Sequence, residues 1–159
     1  MNYVMNLKGI IMINSLKDFQ KSLIDNSKNN VNNYHIWKYN NSKVYININK
    51  VESLKYSATS QISRCFDNCL KIAIKHPELK YIEGYTNCFN IPFEHAFLVN
   101  DSNEVIDPTL AIPTMRESER YGSEYYGVYI PRENLMRYKS RKNTFIPMPY
   151  MMFQEIIKK

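Results

Sequence analysis

The sequence predicts an α+β fold, with helices packed on one side of an antiparallel β-sheet. Three observations carry this. Segments with helical spacing of apolar residues and short runs rich in β-branched and aromatic residues follow one another as helix, hairpin, helix and then several strands. The later strands are joined by turn formers such as Asn100-Asp101-Ser102-Asn103, which connect antiparallel neighbours. The chain has 159 residues, 44% hydrophobic and 23% charged, enough for a core and far from the bias of disordered or repetitive chains.

The elements follow in order. Ser15 caps a helix over 16–26, where Leu16, Phe19, Leu23 and Ile24 share a stripe. The polar stretch 26–30 is then a loop and the expected site of proteolytic nicking. Segments 34–39 and 43–49 read as two strands of a hairpin about Asn40-Asn41-Ser42, with Val44, Ile46 and Ile48 alternating with Tyr45, Asn47 and Asn49. Residues 53–63 are small and polar, and Ser63 is the expected cap of a helix over 65–74 with Phe66, Cys69, Leu70 and Ala73 on its apolar face. His76-Pro77 stops that helix, because the residue before a proline avoids the helical region.

Strands over 79–86 and 93–99 come next, a turn over 100–103, a return strand over 105–107 ended by Pro108, and a strand over 125–130. Glu83, beside Gly84, is expected to border a cleft or, preferentially, to join a cross-strand charge pair. A short helix follows Pro131, and a final helix is expected after Pro149. No internal repeat interrupts the chain. It reads as one domain over 1–159, with an extension over 1–55, a core over 56–131 and a C-terminal extension over 132–159.

Composition narrows the function classes. The longest apolar run, Gly9 to Ile13, is too short for a membrane span or a signal-peptide core, so a soluble, cytoplasmic protein is expected. Three cysteines do not make a disulfide framework, and free thiols in a reducing compartment are the simpler reading. The net charge is +6, but the basic residues are scattered; the densest group is Arg137, Lys139, Arg141 and Lys142, with no nucleic-acid motif beside it. Specific nucleic-acid binding is therefore not favoured, and no membrane partner and no cofactor are expected.

Three residues carry candidate chemistry: Cys65 at a helix start, His95 inside an apolar strand, and Asp107 at the end of the next strand. A thiol nucleophile needs an anion-favouring setting, a base beside it, and a group that orients the base. A helix N-terminus supplies the first. Register tests the rest. If Val99 pairs with Asn103, or Leu98 with Glu104, His95 lies directly opposite Asp107; pairing Val99 with Glu104 turns them to opposite faces. Taken singly, each residue has an ordinary structural role: a buried thiol, a core histidine, a turn aspartate.

In order, Cys65-Phe66-Asp67-Asn68-Cys69, Tyr81-Ile82-Glu83-Gly84-Tyr85, His95-Ala96-Phe97-Leu98-Val99 and Val105-Ile106-Asp107-Pro108-Thr109 resemble the transglutaminase-like branch of the papain-like cysteine enzymes. The resemblance implies a papain-like fold with the cysteine helix packed on an antiparallel sheet. It also implies Cys65 as nucleophile, His95 as base and Asp107 as its orienting carboxylate. Gln61 would be the oxyanion donor, together with the Cys65 N–H. Tyr85, Tyr125 and Tyr126 are candidates to line the cleft. Phe97 stands where the family carries tryptophan, and Ser63 where it often carries glycine. Trp37 lies far upstream, so the tryptophan that stabilises the oxyanion in transglutaminases has no counterpart assigned. The chain is also similar to small uncharacterised bacterial and phage proteins sharing the Tyr-Tyr-Gly-Val segment of 125–128.

The implied activity is acyl transfer through a thioester, on a protein or peptide substrate: amide hydrolase, deamidase or transglutaminase. Two alternatives stay open. One is a non-catalytic binding module or inhibitor on the same scaffold, its surface lined by Tyr121, Tyr125, Tyr126 and Tyr129. The other is a zinc site made by Cys65, Cys69, Cys88 and His95, although the spacing does not suit a zinc knuckle.

Overall fold

The computed structural model describes residues 15–26, 30–88, 91–113, 121–139 and 146–158. The apolar run 9–13, residues 27–29 of the expected nick site, and Arg141 and Lys142 lie outside them. The architecture is α+β, with helices α1 (Leu16–Asn26), α2 (Asn30–Asn41), α3 (Lys50–Ser57), α4 (Cys65–Lys75), α5 (Arg132–Tyr138) and α6 (Met148–Ile157). The strands are β1 (Ser42–Tyr45), β2 (Lys80–Cys88), β3 (Ile91–Val99), β4 (Val105–Ile106) and β5 (Tyr125–Ile130), in the sheet order β1-β5-β2-β3-β4. Every strand pair in that sheet is antiparallel.

The sheet is curled. After β1 the chain crosses to the other edge, where Ile48 bridges Val105 in parallel. Asn49 donates its N–H to the Val105 carbonyl (2.8 Å), and Val105 donates to Asn47 (2.7 Å). The inner face therefore encloses Ile82, Phe97, Val99, Val105 and Tyr125, with Tyr45 and Ile48 against them. On the outer face, Cys69, Ile72 and Ala73 of α4 meet Tyr81, Ala96, Leu98 and Ile106, and the cluster extends to Leu135, Tyr138, Met148 and Met151. Burying that many apolar side chains is the main favourable term for this fold. Curling needs close backbone approach at one point. A Cβ on Gly84 would stand 2.0 Å from the Tyr126 carbonyl oxygen and 2.4 Å from the Gly127 Cα, so only glycine fits there.

Ser15 caps α1 as its sequence implies, its Oγ accepting the Asp18 N–H at 3.1 Å. The N-terminal hairpin is a correction. Residues 34–39 are helical, part of α2, and β1 pairs with β5 instead. The aromatic-rich run resembles a strand, but tertiary contacts decide it. Tyr34 stacks on Trp37 at 6.4 Å between ring centres, as a pair three apart on a helix does, and both rings meet Phe153 of α6. The expected strand over 43–49 ends at Tyr45, and the small, polar stretch that starts at Ser53 lies partly in α3, capped by Asn49, whose side chain accepts the Glu52 N–H. The last helix starts after Pro147, with Pro149 inside its first turn. Among the described residues, no helix is long and apolar enough to cross a membrane.

Candidate active site

The register of β3 and β4 decides whether His95 and Asp107 can meet. Leu98 pairs with Ile106 and Val99 with Val105, two residues away from the register that puts His95 directly opposite Asp107. A slip of two keeps the face, whereas a slip of one would reverse it. The two side chains are thus diagonal neighbours on the inner face. His95 Nε2 lies 2.7 Å from Asp107 Oδ2, with 2% and 0% of the side chains exposed.

Every acceptor position of that carboxylate is engaged. Oδ1 accepts the backbone N–H groups of Thr109 (3.1 Å) and Leu110 (3.0 Å), the side-chain-to-backbone turn that an Asp-Pro-Thr sequence favours. Oδ2 accepts His95 Nε2 and also the Tyr125 hydroxyl at 2.9 Å. The Asp107 N–H donates to Ser53 Oγ of α3 (2.9 Å). A buried charge is tolerated when its hydrogen-bonding capacity is met in this way.

Cys65 is the first residue of α4, half-buried and free of any disulfide. Its thiol lies close enough to the His95 ring to favour the charged imidazolium. Nε2 is committed to Asp107, so Nδ1 is the ring nitrogen left to exchange a proton. Burial alone would lower the His95 pKa, but the Asp107 charge and hydrogen bond, with smaller contributions from Cys65, raise it to about 10. The ring therefore holds its proton at neutral pH.

The expected cap at Ser63 is not made. Ser63 is left-handed, with φ of 60°, and Arg64 occupies the N-cap without a capping side chain, its guanidinium turned to Asp67 at 2.6 Å. The loop is held from inside the helix by Asn68. Its Oδ1 accepts the Gln61 N–H (3.0 Å), and its Nδ2 donates to the Gln61 carbonyl (2.7 Å) and to Thr109 Oγ1 (2.9 Å). One amide thus ties the Cys65 approach to the Asp107 turn. The buried face of α4 is Asn68, Cys69, Ile72 and Ala73, continuing from half-buried Cys65 at helical spacing. Phe66, expected on that face, is 39% exposed. Asn68 is the positional residue that sequence reasoning missed; its signal is an amide inside an apolar stripe.

Cys65 and His95 open onto a cleft of about 380 Å³, lined also by Ile62, Ser63, Phe93, Glu94, Thr109, Leu110 and Ile112. Gln61, the expected oxyanion donor, is exposed and does not line it. Tyr85 and Tyr126 are corrected as well. Both are buried on the outer face with Leu16; Tyr85 lies under the Lys38 ammonium (3.9 Å), and the Tyr126 hydroxyl donates to the Tyr39 carbonyl (3.2 Å). Even residues of β5 and odd residues of β2 face outward, which places these two away from His95. Tyr125 faces inward and is fully buried against Asp107, so it belongs to the cluster without lining the cleft.

The four zinc candidates are not gathered: Cys69 is buried, its thiol donating to the Ala96 carbonyl (3.3 Å), and no group of three or more metal-ligating side chains occurs among the described residues. No family model matches the chain, and neither a curated protein nor a solved structure matches it.

Proposed function

We propose that the protein is a cysteine-nucleophile acyl-transfer enzyme of the transglutaminase-like, papain-like kind, acting on an amide of a protein or peptide. The observation that carries this reading is one buried imidazole held by Asp107 at Nε2 and sharing the wall of an open cleft with the Cys65 thiol. A further point supports it. Ser63 adopts the left-handed backbone that glycine favours, at the position where the resembled family often has glycine.

The chemistry follows from the placement. The Cys65 sulfur, as thiolate, attacks the amide carbonyl carbon; the C–S bond forms as the carbonyl π electrons move to oxygen. The Cys65 N–H, unpaired at the start of a helix, is the donor offered to the forming oxyanion. His95 gives its Nδ1 proton to the amine as the C–N bond breaks, leaving a thioester. Water or an acceptor amine then attacks the thioester and passes a proton to Nδ1, and the sulfur departs as thiolate. Asp107 holds the Nε2 side of the ring and fixes its orientation throughout.

The test is selective labelling. Iodoacetamide and a peptidyl vinyl sulfone are expected to modify Cys65 ahead of half-buried Cys88 and fully buried Cys69. His95→Gln is expected to slow modification at pH 7 by about 100-fold. Cys65→Ala should abolish acyl transfer with the fold intact. A Cys65 no more reactive than Cys88 would reject the enzyme reading and return the protein to the binding-module alternative.

A further inference from the structure

Tyr125 reaches Asp107 from β5, across the full width of β2 and β3. On β2, Tyr125 pairs with Thr86, and the next inward position, Gly84, paired with His95 on one side and Gly127 on the other, carries no side chain. The ring centres of Tyr125 and His95 are 6.3 Å apart, and the ring packs on Phe97 at 5.1 Å.

The hydroxyl has a fixed polarity. It accepts the Gly122 N–H (3.3 Å) and donates to Asp107 Oδ2 (2.9 Å), so its proton has one place to point. Burial, and then the Asp107 charge, push its pKa well above the ordinary tyrosine value, which keeps it a donor at any working pH. The Gly122 position is itself restricted, since a Cβ there would fall 1.9 Å from Thr86 Oγ1. The remaining titratable neighbours of this array are Cys65 and Cys69 of α4 and Cys88 of β2.

We propose that Tyr125 is a positioning residue of the Cys65–His95–Asp107 array, its O–H sharing Oδ2 with His95 and so limiting how tightly Asp107 holds the imidazolium. A carboxylate oxygen with two donors presents less charge to each. A less tightly held imidazolium is the better acid toward the leaving amine, a consequence that rests on the acyl-transfer reading.

The test follows the His95 ring by 15N NMR in the full chain, with its signals assigned through His95→Gln. Tyr125→Phe is expected to raise the His95 titration midpoint by about half a unit, a threefold gain in proton affinity. Replacing Tyr125 by 3-fluorotyrosine, nearly isosteric and a stronger donor, is expected to lower it. Opposite shifts from the two replacements are not produced by a residue that only fills space. If Tyr125→Phe does not fold, the fluorotyrosine protein decides. An unmoved His95 midpoint overturns the proposal. The reading beneath it is judged separately, by iodoacetamide modification of Cys65 in the unsubstituted protein: slow modification there rejects the enzyme, while the His95 shift still decides the role of Tyr125.

Discussion

Strand β2 separates two buried polar clusters that handle charge in opposite ways. On its inner side, His95, Asp107 and Tyr125 form a hydrogen-bonded set in which the cation is favoured, because a fully partnered carboxylate stands beside it. On its outer side, Glu83 accepts the Tyr81 hydroxyl (2.8 Å) and the Met148 N–H (2.9 Å), and Lys38, 4% exposed, lies over the Tyr85 ring. There burial dominates. It raises Glu83 to about 7, against the opposing pull of its hydrogen bonds and Lys38, and lowers Lys38 to about 8, against the pull of Glu94 and Glu83. The difference teaches that burial sets only a starting value. Short, direct partners overcome it at His95; distant charge and a π face do not at Lys38.

Removing an anchor should break the inner cluster most severely. Asp107→Ala leaves the imidazole, the Tyr125 hydroxyl and two backbone N–H groups without their acceptor. A loss of about 3–5 kcal/mol in urea unfolding is expected, together with loss of fast Cys65 modification. The outer cluster should respond with the opposite sign. The Lys38 shift, from 10.5 to about 8, means that charged Lys38 disfavours folding below pH 8, and the penalty fades as pH rises from 8 to 10.5, where the unfolded chain binds more protons. Lys38→Met is therefore expected to gain up to about 3 kcal/mol at pH 7 and little near pH 10.5.

His95 contributes the reverse slope. Its folded pKa lies above its unfolded value, so its stabilisation is complete below pH 6.5 and is lost as pH rises through about 10. The Lys38→Met protein should then lose stability between pH 8 and 10 more steeply than the unsubstituted protein. Equal slopes in chemical denaturation across that range would contradict the contrast. The smallest effect is expected at the entrance to the site, where Ser63→Gly relieves a left-handed serine and should raise stability by about 0.5–1 kcal/mol with Cys65 reactivity unchanged.

The legibility of the sequence follows the same division. The inner face is readable because strand alternation is strict: inward residues of β3 and β4 can be counted, and His95 and Asp107 still share a face in a register two residues from the one that would set them directly opposite. Helix α4 and strands β2, β3 and β5 were readable from periodicity and from the punctuation of His76-Pro77 and Pro131. The outer cluster was not. Its lysine comes from α2, where Tyr34, Trp37 and Lys38 carry strand-like composition and dock through contacts with α6 and β2 that no local pattern announces. Glu83 likewise answers a backbone N–H of α6, a partner 65 positions away, and not a charge on the neighbouring strand. Asn68 and Tyr125 were hidden for a related reason: their roles are bonds across 41 and 18 positions of sequence, visible only once the sheet has curled.

The bridge between Ile48 and Val105 has a consequence for the order of folding. The nucleophile and the imidazole sit on elements that can form early, since α4, β2 and β3 follow one another along the chain. Asp107 follows a strand of only two residues, and its N–H is received by Ser53, 54 positions upstream. That closure joins distant parts of the chain and is paid in loop entropy, which makes it slow relative to local hairpin and helix formation. A refolding chain should therefore bury much of its core before His95 acquires its carboxylate. Its thiol would stay unactivated until the sheet has closed.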